Sequence, residues 1–445
     1  MAVLDTRPRT RIDTDVLVVG GGAAGVAAAT TAARQGAAVT LIERYGFCGG
    51  GAVAGLSGTV CGLYEATDNH EAAPRQVVFG LADEFCKRLE SKGGLAEPTK
   101  YGKTWTRVHD PLVWREAADS LLGEAGVRVI YHAVAIGVHL DGGEKLEGVD
   151  VWTKQGRIEI RSRVVIDASG DADVVAMADL PSFVGDNGRV QNPTMIFRMS
   201  GVDTRRFVAA YGHDTIMPEA ITEMIRAKHN AGQYDLPRAK IWLFTTTRPG
   251  ELLCNCTRVI GRDGRELNPL LWQDFTEAEI EGRRQVRAYE RFFRDSLVGC
   301  EAAFVNDTGV QVGVRQTRQI EGVTKLMNTD VVAGTKFIDG IALSPWPIEL
   351  HSGQKPKLEW LLNDVYEVPF GCFVPQRGEG LLVAGRCLSA EHEAVASARV
   401  TAQCFSYGHA IGHAAAITVR DRIAPRTISG SALREILNRD GARLN

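Results

Sequence analysis

Nowhere among its nine cysteines does the chain carry a C-x-x-C pair. An odd number of scattered thiols argues against a disulfide framework and is expected of reduced cysteines in a cytoplasmic protein. Basic stretches are missing too: 51 Lys and Arg against 54 Asp and Glu leave a net charge of −3, which offers no footprint for nucleic acid or an anionic membrane. Residues 16–33 lack charge and approach the length of a membrane span, but their glycines and threonines contradict one. No signal peptide is expected either. There is no internal repeat and no low-complexity segment. What remains is an ordinary globular composition, 44% apolar and 24% charged, over 445 residues. That length exceeds one compact core, so two closely joined domains are expected.

The most informative stretch is 15–50, DVLVVGGGAAGVAAATTAARQGAAVTLIERYGFCGG. Asp15 to Val19 reads as an apolar strand that runs into Gly20, Gly22 and Gly25, a G-x-G-x-x-G turn. The first glycine permits the turn, the second lets backbone approach a pyrophosphate, and the third lets the following helix pack closely on the strand. Ala24 to Gln35 is that helix, stopped at Gly36, and Ala38 to Ile42 is the next strand, ending in Glu43 where an acid accepts ribose hydroxyls. A carboxylate there repels a 2′-phosphate, so the nucleotide is FAD or NAD rather than NADP. The glycine run after Glu43 suits a flavin, past whose ribityl chain backbone must slide. No second G-x-G-x-x-G occurs, so no separate NAD(P)H module is encoded. Cys48 is open to reading as a redox thiol, a covalent flavin link or, with more weight, a buried structural cysteine.

The first fourteen residues read as a loose arm. Pro74 is expected to open a helix ending at Gly93, and Asp110-Pro111 to cap another ending at Gly126. From Val127 to Asp167 the pattern is that of a β-meander returning through VVIDASGD (164–171) to the nucleotide sheet. Asp171 and Asp173 either hydrogen-bond backbone there or cap the next helix. Thr276 and Glu279 predict a capping box for a helix to about Leu297, with Arg283, Arg287, Arg291 and Arg294 on one solvated face. Residues 380–416 give a last apolar strand, a loop and an Ala-rich helix, in which packing is the expected reason for Gly408 and Gly412. The fold class expected is α/β, with a discontinuous dinucleotide-binding domain (13–180 and 371–425), a substrate-binding domain of α+β character (181–370) and a C-terminal helix or tail (426–445).

With these pieces in hand the chain resembles the FAD-dependent oxidoreductase family of glutathione-reductase-like fold, a Rossmann-like FAD-binding domain with a β-meander. It is distantly similar to fumarate reductase flavoproteins and the glucose-inhibited division protein A type. The pieces that carry the likeness are ERYGFCGG (43–50), VIDASGDADV (165–174), GVRQTRQIEG (313–322), PIELH (347–351), YEVPFGCFVP (366–375) and GLLVAGRCLSAEHEAVASARV (380–400). The resemblance implies that Gly20, Gly22, Ala23, Ala24 and Gly25 hold the pyrophosphate, Glu43 the adenosine ribose and the Val134 backbone the adenine. It adds Arg44, Gly49 and Gly50 to the cofactor set and runs Ser169 and Gly170 along the diphosphate. Gly385, Arg386, Ala396 and Ser397 would flank the ribityl chain and pyrimidine edge. Many relatives place an acid where Arg386 stands.

A flavin in this fold takes hydride at N5 from a C–H beside an alcohol or amine, and the protein supplies position and a base. His392, just before Ala396, and His351, which ends PIELH, are the candidate bases; either is also readable as a structural histidine. Arg315 and Arg318 are candidates to clamp a substrate carboxylate, with internal ion pairing as the competing reading. His409 and His413 have metal-compatible spacing but no third ligand beside them in sequence, and Cys254-x-Cys256 has no second pair, so no metal is expected. The function expected is FAD-dependent oxidation or reduction of a small alcohol, amine or hydroxy acid, with an RNA-modifying flavoprotein as the alternative. The expected partners are a small-molecule substrate and an electron acceptor of unknown kind, with no nucleic acid and no membrane; an oligomer is open.

Overall fold

The computed structural model describes residues 10–69, 71–351 and 356–444. In chain order, β1 (Thr10–Asp13) and β2 (Val16–Val19) lead into α1 (Ala23–Arg34) and β3 (Val39–Glu43). Then come α2 (Leu81–Ser91), α3 (Pro111–Glu124), β4 (Arg128–Tyr131) and a meander of β5 (Val134–Leu140), β6 (Leu146–Thr153) and β7 (Gly156–Arg161). After β8 (Val164–Asp167) the chain builds β9 (Phe197–Ser200), β10 (Trp242–Thr245), β11 (Glu251–Asn255), α4 (Trp272–Ser296) and β12 (Phe304–Thr308). It closes with β13 (Leu381–Val383), α5 (His392–Ala398), α6 (Thr401–Asp421) and α7 (Gly430–Arg439).

Three sheets position everything else. The parallel sheet runs β13-β8-β2-β3-β4, with Val16 opposite both Val164 and Val39. Every residue of β2, β3, β8 and β13 is buried, as strands covered on both faces require. The meander lies beside it as β1-β7-β6-β5, and an antiparallel sheet runs β10-β11-β9-β12. Two large apolar clusters follow: one around the parallel sheet and its helices, the other between the antiparallel sheet and α4, through Phe197, Tyr289, Phe292 and Phe293. Ile320, Tyr366 and Val368 pack into the first cluster although they lie within 181–370, and Leu433 and Leu437 of α7 join it as well.

Helix α6 lies along α1, and small residues make the approach possible. A Cβ on Gly408 would sit 2.1 Å from the Ala24 carbonyl oxygen, and one on Gly412 2.6 Å from that of Ala28. Helix α6 is thereby locked to the glycine-turn helix α1, backbone against backbone.

Several expectations need correction. Thr10–Asp13 is a strand paired parallel with β7, not part of a loose arm; residues 1–9 lie outside the described ones. Helix α2 opens at Leu81 rather than Pro74, because Gly80 at φ 68° makes the turn that starts it. Thr276 is interior to α4: its hydroxyl donates back to the Trp272 carbonyl at 2.7 Å, and Glu279 accepts from the Val312 N–H, so no capping box forms. Asp110 does cap α3, accepting from Leu112 N at 2.8 Å, and the arginine face of α4 is exposed. Among the described residues no helix is long and apolar enough to cross a membrane.

Candidate functional site

The carboxyl ends of β2, β3, β8 and β13 open onto one cleft, lined there by Val19, Glu43, Ala168 and Ala384 and continuing beneath the antiparallel sheet. Open α/β sheets place ligands at that end. Helix α1 begins at Gly22 with no side-chain cap, so its first N–H groups are left for an anion in the cleft. Backbone crowds the turn from both sides: a Cβ on Gly50 would lie 2.9 Å from Gly22 Cα, and one on Gly20 2.5 Å from the Ala168 carbonyl oxygen. An uncapped helix end in a groove where side chains do not fit is what a diphosphate needs.

Glu43 is buried at the end of β3, one carboxylate oxygen accepting from Gly21 N at 2.7 Å and the other from Tyr45 N at 2.9 Å. Burial pushes its pKa up while these N–H groups oppose the shift. The group thus stiffens the turn and still faces the cleft beside Val134, where a ribose and an adenine would lie.

Of the other cofactor candidates, Gly20, Gly22, Ala23, Ala24, Arg44, Gly49, Gly50, Ser169, Gly170, Gly385, Arg386 and Ala396 line the same cleft. Gly25 does not. A Cβ there would fall 1.9 Å from the Gly20 carbonyl oxygen, so it serves the helix–strand crossing rather than the cofactor. Ser397 is also displaced from its expected role, since its hydroxyl is fully buried between the Trp346 carbonyl at 2.5 Å and Tyr366 Oη at 2.8 Å. Cys48 is buried, lies outside the cleft lining and has its thiol pushed up to about 12, chiefly by burial, so packing is its evident role.

Arg386 draws an acid alongside it. Its Nη2 donates to Asp171 Oδ1 at 2.9 Å and its Nη1 to Thr317 Oγ1 at 3.1 Å. Neither Asp171 nor Asp173 caps the helix that follows. Asp167 does, accepting from Val174 N at 2.8 Å and Val175 N at 3.2 Å. Asp173 pairs with Arg318 at 3.1 Å and lines the cleft. Burial first, then the Asp171 and Asp167 charges, pushes Asp173 up to about 6. The carboxyl is therefore neutral below that pH and gains charge above it, against a diphosphate. FAD is expected to dissociate more readily as pH rises from 5.5 to 7.5, by roughly three- to tenfold, the order expected of one added like charge lining the same cleft. Titration of apoprotein with FAD, followed by flavin fluorescence, checks this; in Asp173→Asn the pH dependence should vanish.

The far end of the cleft brings together Tyr101, Arg315, Glu349, His351 and Arg399. Glu349 lies in a short strand (Ile348–Leu350) and His351 directly follows it, two residues on, with His351 Nε2 3.0 Å from Glu349 Oε1. Tyr101 Oη donates to the same oxygen at 2.9 Å. A ring that gives its Nε2–H to Glu349 keeps Nδ1 as the accepting nitrogen. Burial, then the Arg315 charge, holds the His351 pKa well below the usual imidazole range. Burial works against the Glu349 carboxylate, but its partners more than compensate and keep it below the usual range.

Arg315 and Arg399 line this end and Arg238 stands behind them. Arg315 Nη1 donates to the Asn192 carbonyl at 2.7 Å, and Arg399 Nη2 to Gln191 Oε1 at 2.9 Å. Arg399 Nε and Arg238 Nη2 are buried without a partner. Burial disfavours all three charges, Arg399 being pushed down to about 10. Of the carboxylates in the cleft wall, Glu43, Asp173 and Glu349, only the last faces them. Three buried guanidinium groups against one carboxylate is a positive excess that an anion would relieve.

His392 is not part of this constellation. It begins α5, one helical turn from Ala396 and outside the cleft lining, where its surroundings are Asp186, Arg189 and Glu393. A rise of about 5.4 Å per turn is enough to carry it away. Tyr101, Arg238 and Arg399 carried no signal in the sequence, whereas Glu349 could have been found from its alternation with His351.

Among curated proteins none matches the sequence. In solved structures the fold recurs at low identity. A geranylgeranyl bacteriochlorophyll reductase-like protein from Thermoplasma acidophilum is 14% identical with a TM-score of 0.50, covering 97% of this chain and 84% of that one. A flavin-dependent brominase is 13% identical with a TM-score of 0.51, covering 96% and 83%. The family described as FAD dependent oxidoreductase matches residues 15–437. A match of that extent, on a cleft shaped for a flavin dinucleotide, makes the chain a member of the FAD dependent oxidoreductase family, with FAD as its cofactor.

Proposed function

We propose that the protein oxidises a small hydroxy acid, with Arg315 and Arg399 holding its carboxylate and His351 taking the hydroxyl proton. The observation that supports this reading is the positive excess beside His351 at the end of the cleft away from the glycine turn. When bound, FAD supplies a two-electron acceptor for the hydride. The chain's own residues do the rest. A guanidinium pair fixes the carboxylate in plane and so orients the carbinol carbon. His351 is kept neutral by burial and by its cationic neighbours, which is the form a base requires. Glu349, itself held by Tyr101, fixes the ring's tautomer and steadies the imidazolium once the proton has moved.

The test is anaerobic. Hydroxy acids and uncharged alcohols of the same carbon skeleton are mixed with FAD-loaded protein while the oxidised-flavin absorption is followed. Hydroxy acids should bleach it rapidly and neutral alcohols only slowly, and His351→Ala should slow bleaching by roughly 10²- to 10⁴-fold. Because the His351 pKa is depressed, the rate should persist as pH falls through 6.5 rather than drop there. Equal rates with the neutral alcohols, or an unchanged rate in His351→Ala, would overturn the reading.

A further inference from the structure

We infer that His409, His413 and Asp440 form a binding site for a divalent transition cation of the zinc class, fastening the C-terminal helix to the FAD-binding core. The two histidines lie four residues apart on α6, hence on one face, and the chain following α7 brings Asp440 to them. The candidate ligand atoms all lie within 4.8 Å of one another, and both Nε2 atoms point at one carboxylate oxygen, at 2.7 and 2.9 Å. The imidazoles are only 5% and 4% exposed while Asp440 is 51% exposed, so the rings are preset and the acid can close over an ion.

Two imidazoles and a carboxylate are the donor set of a three-ligand zinc centre, which leaves a further position for solvent. Space for that water exists, because His409 and Asp440 line an open cleft between α1 and α2, together with Gly80 and Glu84. The other charges there are largely spent on one another, Arg34 with Glu84 at 2.7 Å and Lys87 with Asp83 at 2.7 Å, while Arg443 stacks on Phe79. Cation binding would move each ring's proton from Nε2 to Nδ1, freeing the nitrogen lone pair without changing the charge of the neutral imidazole.

The position gives the ion a consequence. Gly408 and Gly412, the residues immediately before each histidine, are those that seat α6 on α1, whose first turn faces the diphosphate. A metal here would tie α7 to the helix that braces the cofactor cradle.

The experiment uses the FAD-loaded full chain after chelation and dialysis. Zinc chloride should bind with one equivalent per chain and raise Tm, and cobalt chloride should give the visible absorption of a low-symmetry nitrogen and oxygen site. Asp440→Asn and His413→Gln should each weaken uptake by at least about tenfold. Asparagine keeps the acid's shape and an accepting oxygen, so a folded, flavin-loaded variant is expected. No uptake by the parent, or equal uptake in both variants, would overturn the proposal and leave the trio a hydrogen-bonded clamp.

Discussion

Gly20→Ala is expected to yield protein that purifies without flavin and melts well below the parent. Gly20 holds φ at 104°, which costs an L-residue of order 1–3 kcal/mol, and its Cβ would sit 2.5 Å from the Ala168 carbonyl oxygen. The atom in the way is backbone at the tip of β8, so relief means parting β2 from β8, the two central strands of the parallel sheet. Overpacking of that kind adds about 1–3 kcal/mol, and the sum is a large fraction of the roughly 5–15 kcal/mol that holds a domain folded. The diphosphate groove lies at the same point, so affinity falls with stability. Flavin-to-protein absorbance ratio and Tm measure both. Gly123→Ala, at a position in α3 where a Cβ meets nothing, is the control and should be neutral or slightly stabilising. Retention of stoichiometric FAD by Gly20→Ala would refute this account of the turn.

Arg315→Gln should separate stability from activity. In the free enzyme the guanidinium is 6% exposed and is opposed by Arg238 and Arg399, with Glu349 as its acid. Removing a buried charge that is already in excess should leave Tm unchanged or raise it. Substrate binding reverses the sign, because a carboxylate left without its cation in a desolvated pocket loses about 2–5 kcal/mol. At about 1.4 kcal/mol per tenfold, kcat/KM for hydroxy acids should drop by roughly 30- to 3,000-fold, while slow turnover of neutral alcohols stays where it was. A variant that loses acids and neutral alcohols alike would show that Arg315 supports the fold of the pocket and not its charge selectivity.

How far the chain could be read in advance depends on how local each feature is. The glycine turn, α1 and the acid at Glu43 were legible because one β-α-β unit carries both the constraint and the residues that meet it within about thirty positions. The β-meander and the cap at Asp110 were legible for the same reason. The start of α4 is not legible, because a Thr and a Glu three apart make the same pattern inside a helix as at its end, and here the Thr276 hydroxyl turns back to Trp272. The position of His392 is not legible locally, because closeness in sequence to Ala396 does not bring its side chain into the cleft.

Local sequence suffices to put a dinucleotide across a glycine turn at the end of a parallel strand, since backbone sterics and strand–helix periodicity act over neighbouring residues. At the other end of the cleft His351 and Arg315 can be named from the sequence, but not the neighbours that surround them. Tyr101, Arg238, Arg315, Glu349 and Arg399 are far apart in the chain, and long-range packing, which no local spacing encodes, gathers three guanidinium groups and a phenol around one buried carboxylate. Asp440 reached His409 and His413 in the same way, when α7 folded back onto the core through Leu433 and Leu437.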